Sequence, residues 1–225
     1  MSYRFIRDIK AQPLPVLLIW VSLIGAVTYA AVSGRLSLGL VALLTFALTL
    51  APTFLVKRVG IQLPAGFTVG IVVFIYATIF LGEAVNFYER YWWWDMLLHG
   101  GSAMGFGMIG FLFAFTLFEG DRYAAPAWAL GFIGFTFAVT IGAVWEIFEF
   151  AMDRNFGLNM QKSGLQDTMW DLIIDVIGGA IGGLMGFLYL KGQPVGGFTK
   201  VLAEFVVKNR HFYRKHPFRS RRRKG

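Results

Sequence analysis

The chain predicts an all-α polytopic membrane protein of six transmembrane helices with both termini in the cytoplasm. Three observations predict it. Apolar residues make up 56% of the 225 positions, mean hydropathy is +0.60 and only 15% of residues are charged, which excludes an ordinary soluble domain and every disordered class. The apolar residues fall into six runs of about the 20 residues needed to cross hydrocarbon. Finally, 17 of the 21 Lys and Arg fall on one side of the membrane if the N-terminus is inside, the asymmetry of the positive-inside rule.

The spans read in order as 14–32, 36–56, 67–87, 94–118, 127–150 and 169–190. They are helices because open sheet edges cannot be satisfied in lipid and the runs lack the alternation of barrel strands. A basic arm with Arg4, Arg7 and Lys10 precedes the first span. That span is longer than a signal-peptide core of about 7–15 residues, so it reads as uncleaved. The first two spans hold no ionisable side chain in their interiors and read as scaffold. The fourth enters behind Trp92-Trp93-Trp94, an interfacial aromatic belt. Residues 1–190 thus form one six-helix membrane domain, and residues 191–225 a basic cytoplasmic tail.

Most of the net charge of +8 sits in that tail, which ends Arg219-Ser220-Arg221-Arg222-Arg223-Lys224-Gly225. Beside a membrane such a cluster suits anionic lipid headgroups rather than nucleic acid, each charge contributing about 1 kcal/mol near the surface. Phe198, Val201, Leu202, Phe205 and Val206 recur at helical spacing, so a short interfacial helix is expected there. With no Cys there is neither a disulfide framework nor a thiolate metal site, and any metal needs oxygen and imidazole ligands.

Nine of the thirteen acids, Glu83, Glu89, Asp95, Glu146, Glu149, Asp153, Asp167, Asp171 and Asp175, lie in or beside the apolar runs with His99. A charge at the bilayer centre costs about 2.5–3.5 kcal/mol even on the lenient insertion scale, so such groups face a protein interior and mark function. Asp95 and His99 are four residues apart, Glu146 and Glu149 three, and Asp167, Asp171 and Asp175 repeat every four, each set on one helical face. By orientation and helical rise, all converge in the extracytoplasmic half of the last three spans. Gly101 and Gly105, with Gly178, Gly179, Gly182, Gly183 and Gly186, are small-residue repeats suited to close packing of spans four and six.

Within this group His99, Glu149, Asp171 and Asp175 read as ligands of a divalent metal such as Mg, Mn or Zn, and Glu146 as a catalytic base. Asp95, Asp167 and Ser163 read as helix caps or as supports around the site, since Ser163 and Gln166 have capping-box spacing, Asp167-Thr168 offers an alternative N-cap and Asp95 lies in a first turn.

Three strings, Trp94-Asp95-Met96-Leu97-Leu98-His99, Trp145-Glu146-Ile147-Phe148-Glu149, and Ser163-Gly164-Leu165 through Asp167-Thr168, Asp171-Leu172 and Asp175 to Gly178-Gly179-Ala180, together resemble the YjdF-like family of bacterial inner-membrane proteins. More remotely they resemble the VanZ-like proteins linked to glycopeptide resistance. The resemblance covers the last three spans and implies a multi-pass protein of the bacterial inner membrane. VanZ-like proteins usually show Gln and Asn where this chain has Glu149 and Asp175, so this site is the more acidic.

Three functions fit these residues. The first is a divalent-metal site binding or acting on an envelope lipid or lipid phosphate, as a hydrolase or transferase. The second is proton- or cation-coupled transport of a small solute. The third is a non-enzymatic structural envelope component. No phosphate-binding loop, nucleophile elbow, paired-His metalloprotease motif or dinucleotide fingerprint is present.

Overall fold

The computed structural model describes residues 12–58, 60–118, 125–193 and 196–213. The basic N-terminal arm, the Arg122 loop and the terminal basic run lie outside the described residues. Helix α1 (Leu14–Ser33) stops at Gly34, whose left-handed backbone returns an N–H to the Ala30 carbonyl. Helix α2 is Leu36–Arg58, with Pro52 inside it, and α3 (Ala65–Ile75) runs directly into a π-helical segment, Tyr76–Ala84. A single turn, α4 (Phe87–Arg90), leads to α5 (Trp94–Leu117), α6 (Ala127–Phe156), α7 (Leu165–Leu190) and α8 (Gly196–Lys208), followed by a 3-10 turn, Arg210–Tyr213. No strand occurs among the described residues.

Among the described residues six helices are long and apolar enough to cross a membrane: α1, α2, α3 with its π-helical continuation, α5, α6 and α7. Their outer faces leave Leu18, Val21, Leu40, Phe132 and Ile147 more than half exposed, a surface that only lipid solvates favourably. Helices α6 and α7 extend beyond their apolar runs, to Phe156 and back to Leu165. Hydropathy marks the edge of the hydrocarbon, whereas backbone hydrogen bonding continues through the polar turns at either end. The π-helical segment has no signature in the hydropathy pattern.

Two packing groups make up the bundle. Helices α1, α2 and α3 form one, where the Trp20 indole donates to Thr49 Oγ1 at 3.0 Å and its ring meets Phe46 edge-on. The second and tighter group is α5, α6 and α7. Here glycine lets backbones touch. A Cβ on Gly107 would stand 3.0 Å from both the Gly179 carbonyl oxygen and the Gly182 Cα, and one on Gly131 would stand 2.8 Å from the Gly183 carbonyl oxygen. Gly134, Gly178, Gly182 and Gly183 are likewise pressed against backbone carbonyls of a neighbouring helix. Gly101 and Gly105, expected at this contact, instead face open space. Gly100, Ala103, Met104 and Gly107 meet α7, the three- and four-residue spacings of an α-helical contact face.

At the opposite end from the acids, Phe67, Phe111, Phe115, Leu130, Leu190 and Leu202 close a core that joins α8 to the bundle. The helix expected from Val201, Leu202, Phe205 and Val206 thus turns this apolar face onto protein, with Leu202 at 0% exposure, while Phe198 stays exposed. Asn209, fully buried, donates to the Gln62 and Phe205 carbonyls and accepts the Gln62 N–H, tying the end of α8 to the α2–α3 connection.

Substitution separates contact glycines from free ones. Gly107→Val or Gly182→Val is expected to lower the melting temperature in detergent sharply, at a cost of about 1–3 kcal/mol or more for overpacking. Gly105→Ala should leave it unchanged or raise it, because alanine is the better helix former. Equal losses at all three positions would contradict this assignment of the contact faces.

Candidate functional site

The last three spanning helices bring one polar end each to a common point: the start of α5, the end of α6 and the start of α7. His99, on the second turn of α5, is its centre. The imidazole Nδ1 lies 3.3 Å from both carboxylate oxygens of Asp175. Its Nε2 lies 3.9 Å from Glu146 Oε1 and 4.0 Å from Asp95 Oδ1. One imidazole therefore faces a carboxylate on each of the three helices.

Burial at this centre is deep. Glu146 is 3% exposed, Asp171 3% and Asp175 2%. Asp175 fits against α6 only because position 142 is glycine, since a Cβ there would collide with its carboxylate. Among the described residues neither oxygen of Glu146 has a hydrogen-bond partner of good geometry, the Thr168 hydroxyl being the neutral polar group that approaches it. Leaving a buried polar group unsatisfied costs about 1–3 kcal/mol, and more for a charged one, so this carboxylate lacks a counterpart.

Ligand-type atoms of His99, Glu146 and Asp171 all lie within 4.8 Å of one another, and those of Asp95, Asp167 and Asp171 do the same. Glu149, grouped with the ligands on sequence, belongs to neither set. It lies one turn beyond Glu146, half-buried, and accepts the Trp145 indole N–H at 3.0 Å.

No side chain caps α5 or α7. Trp93 and Gly164 occupy the positions before the first turns, so the capping box expected from Ser163 and Gln166 does not form, and Ser163 is exposed. Gly164 has φ +65°, a backbone that disfavours any side chain and turns the chain into α7 without a cap. Asp167 instead reaches back, its Oδ2 accepting the Lys162 N–H at 3.1 Å.

Asp153 is a loop clamp whose carboxylate accepts the Met160 N–H at 2.7 Å and the Gln161 N–H at 2.8 Å. The Gln161 amide donates to Thr168 Oγ1 at 2.6 Å. The α6–α7 connection is thus fastened to both helices that carry the buried acids.

Two residues at the edge of this site escaped sequence reasoning. Lys162 places its ammonium 3.4 Å from Glu89 and 4.7 Å from the centre of the Tyr88 ring. Burial raises the Tyr88 phenol above its ordinary range, with the charges of Asp95, Glu83 and Glu149 adding to the effect. It therefore stays a neutral O–H beside the acids. Proximity of Tyr88 depends on α4 and on Gly82, against which the ring packs, and no periodicity announces either. Glu83 and Glu89 are exposed.

Residues 14–192 match the family described as "Predicted membrane protein (DUF2238)", and the chain belongs to it. It is similar to a protein of Thermotoga maritima whose description is "Uncharacterized protein", with 33% identity over 98 residues, 44% of this chain and 50% of the relative. The match thus spans about half the length of that relative. No solved structure matches the chain.

Asp153→Ala should free the α6–α7 connection without touching the buried acids. Hydrogen exchange at the Met160 and Gln161 amides is expected to rise by one to two orders of magnitude, the equivalent of about 1.5–3 kcal/mol for bonds to a charged acceptor. Unchanged protection at both amides would show that Asp153 does not hold this loop.

Proposed function

We propose that this chain holds a divalent cation between His99, Glu146 and Asp171 and uses it on the phosphate of an envelope lipid, by hydrolysis or transfer. The observation behind the reading is Glu146, 3% exposed with both oxygens unpartnered, and aimed at a histidine nitrogen 3.9 Å away. A cation supplies the missing partner. One imidazole and two carboxylates suit Mg, Mn or Zn, and no thiol competes. With Asp175 accepting the Nδ1 proton, Nε2 keeps its lone pair for metal, the familiar carboxylate–histidine–metal arrangement.

The roles differ in part from those suggested by spacing alone. Glu146 becomes a ligand as well as the nearest base, Asp175 orients the imidazole, and Glu149 stands outside. A cation here would activate water or polarise a phosphoryl oxygen. The dipoles of α5 and α7, both of which begin at this end, favour an anionic headgroup.

Orientation in the membrane follows from the basic residues. With 17 of 21 Lys and Arg on the cytoplasmic side, both termini are inside and the site lies in the outer half of a bacterial inner membrane. The basic tail then faces anionic headgroups of the inner leaflet. The likeness of residues 94–186 to YjdF-like and VanZ-like proteins agrees with an envelope role. Coupled transport gains less support, because no Asp, Glu or His occurs in the other halves of α5, α6 or α7 to continue a relay.

Titration of detergent-purified protein with Mn²⁺ or Zn²⁺ tests the reading. Glu146→Gln and His99→Ala are expected to weaken binding by roughly 100-fold or more, and Asp175→Asn by about 10–100-fold, as for other groups that support a ligand. Glu149→Gln should bind as the wild type does. Cation binding that none of these changes alters, or phosphate release from a lipid phosphate that persists under chelation, would contradict it.

A further inference from the structure

We infer a second divalent-cation position, between Asp95, Asp167 and Asp171, so that Asp171 bridges a pair of cations. The inference rests on the first position proposed above and deepens it. Asp171 is the residue common to both groups whose ligand-type atoms lie within 4.8 Å of one another. It is 3% exposed and accepts no hydrogen bond among the described residues. A carboxylate held this deep without a hydrogen-bond donor can offer one oxygen to each of two cations.

Charge balance points the same way. Asp95, Glu146, Asp167, Asp171 and Asp175 surround the single imidazole of His99. The nearby ammonium of Lys162 makes its ion pair with Glu89, and only its longer-range field reaches Asp95. One dication leaves this group strongly negative, and a second brings it close to neutrality, as burial requires.

The two positions differ in access. The first is enclosed, with the His99 side chain 11% exposed and that of Glu146 4%. At the second, Asp95 is 29% exposed, and Asp167 is fixed through its bond from the Lys162 N–H. The second cation is therefore the weaker and faster to exchange. Bridged cations about 3.5–4 Å apart can each take one oxygen of a phosphoryl group, which deepens the lipid-phosphate reading of this site.

Electron paramagnetic resonance of the full chain in nanodiscs, titrated with Mn²⁺, distinguishes the cases. We expect two ions per chain, the second binding at least 10-fold more weakly, with an exchange-coupled spectrum at saturation. Asp95→Asn should retain the first ion, which also reports an intact fold, while losing the second ion and the coupling. One uncoupled ion in the wild type would overturn the pair and leave the first position standing. Two uncoupled ions, or coupling that survives Asp95→Asn, would also overturn the pair. No bound ion at all would overturn both.

Discussion

Helices α5, α6 and α7 approach so closely that glycines on one meet backbone carbonyls on the next, and the remaining features of the molecule follow from that approach. Gly107, Gly131, Gly134, Gly178, Gly182 and Gly183 remove the side chains that would hold these backbones apart. Between membrane helices there is no hydrophobic driving force, so dispersion at close range and polar contacts have to supply the cohesion. The same closeness leaves no room for solvent around the groups at one end of the contact. Asp175, pressed against Gly142, can reach His99 because nothing larger stands between α6 and α7.

Close packing also explains why the site is costly. Carboxylates on three helices are driven into a space served by one imidazole, and among the described residues neither Glu146 nor Asp171 accepts a hydrogen bond of good geometry. Effective penalties for a buried ion run to several kcal/mol, whereas polar contacts between membrane helices average about 0.6 kcal/mol. Cohesion alone is therefore a poor reason to gather these groups. The loop clamps made by Asp153, Gln161 and Asp167 further hold the starts and ends of these helices in a fixed relation, as a preorganised site requires.

Much of this architecture is legible in the amino-acid sequence, for identifiable reasons. Apolar runs reveal the spanning helices because lipid imposes length and composition together. The four-residue steps from Asp95 to His99 and from Asp167 through Asp171 to Asp175 predict one polar face on each of two helices because helical periodicity is fixed. What periodicity leaves open is rotation. It cannot choose between Gly101 and Gly105 on one face of α5 and Gly100 and Gly107 on another, nor turn Glu149 away while turning Glu146 inward. Ser163 and Gln166 have capping-box spacing, yet the left-handed backbone of Gly164 starts α7 another way. The π-helical segment and the placing of Tyr88 and Lys162 depend on tertiary contacts with no local signal.

Whether the Nε2 nitrogen of His99 meets a cation decides what this cluster of acids is for. Three histidines occur in the chain, His99, His211 and His216, and of the two among the described residues, His99 and His211, His99 lies among the buried acids. Electron spin echo modulation of the Mn²⁺-bound protein reads directly coordinated nitrogen. Modulation from one imidazole nitrogen is expected, lost in His99→Gln and retained in His211→Gln. Bound Mn²⁺ with no nitrogen modulation, or modulation that survives His99→Gln, would contradict cation binding at His99.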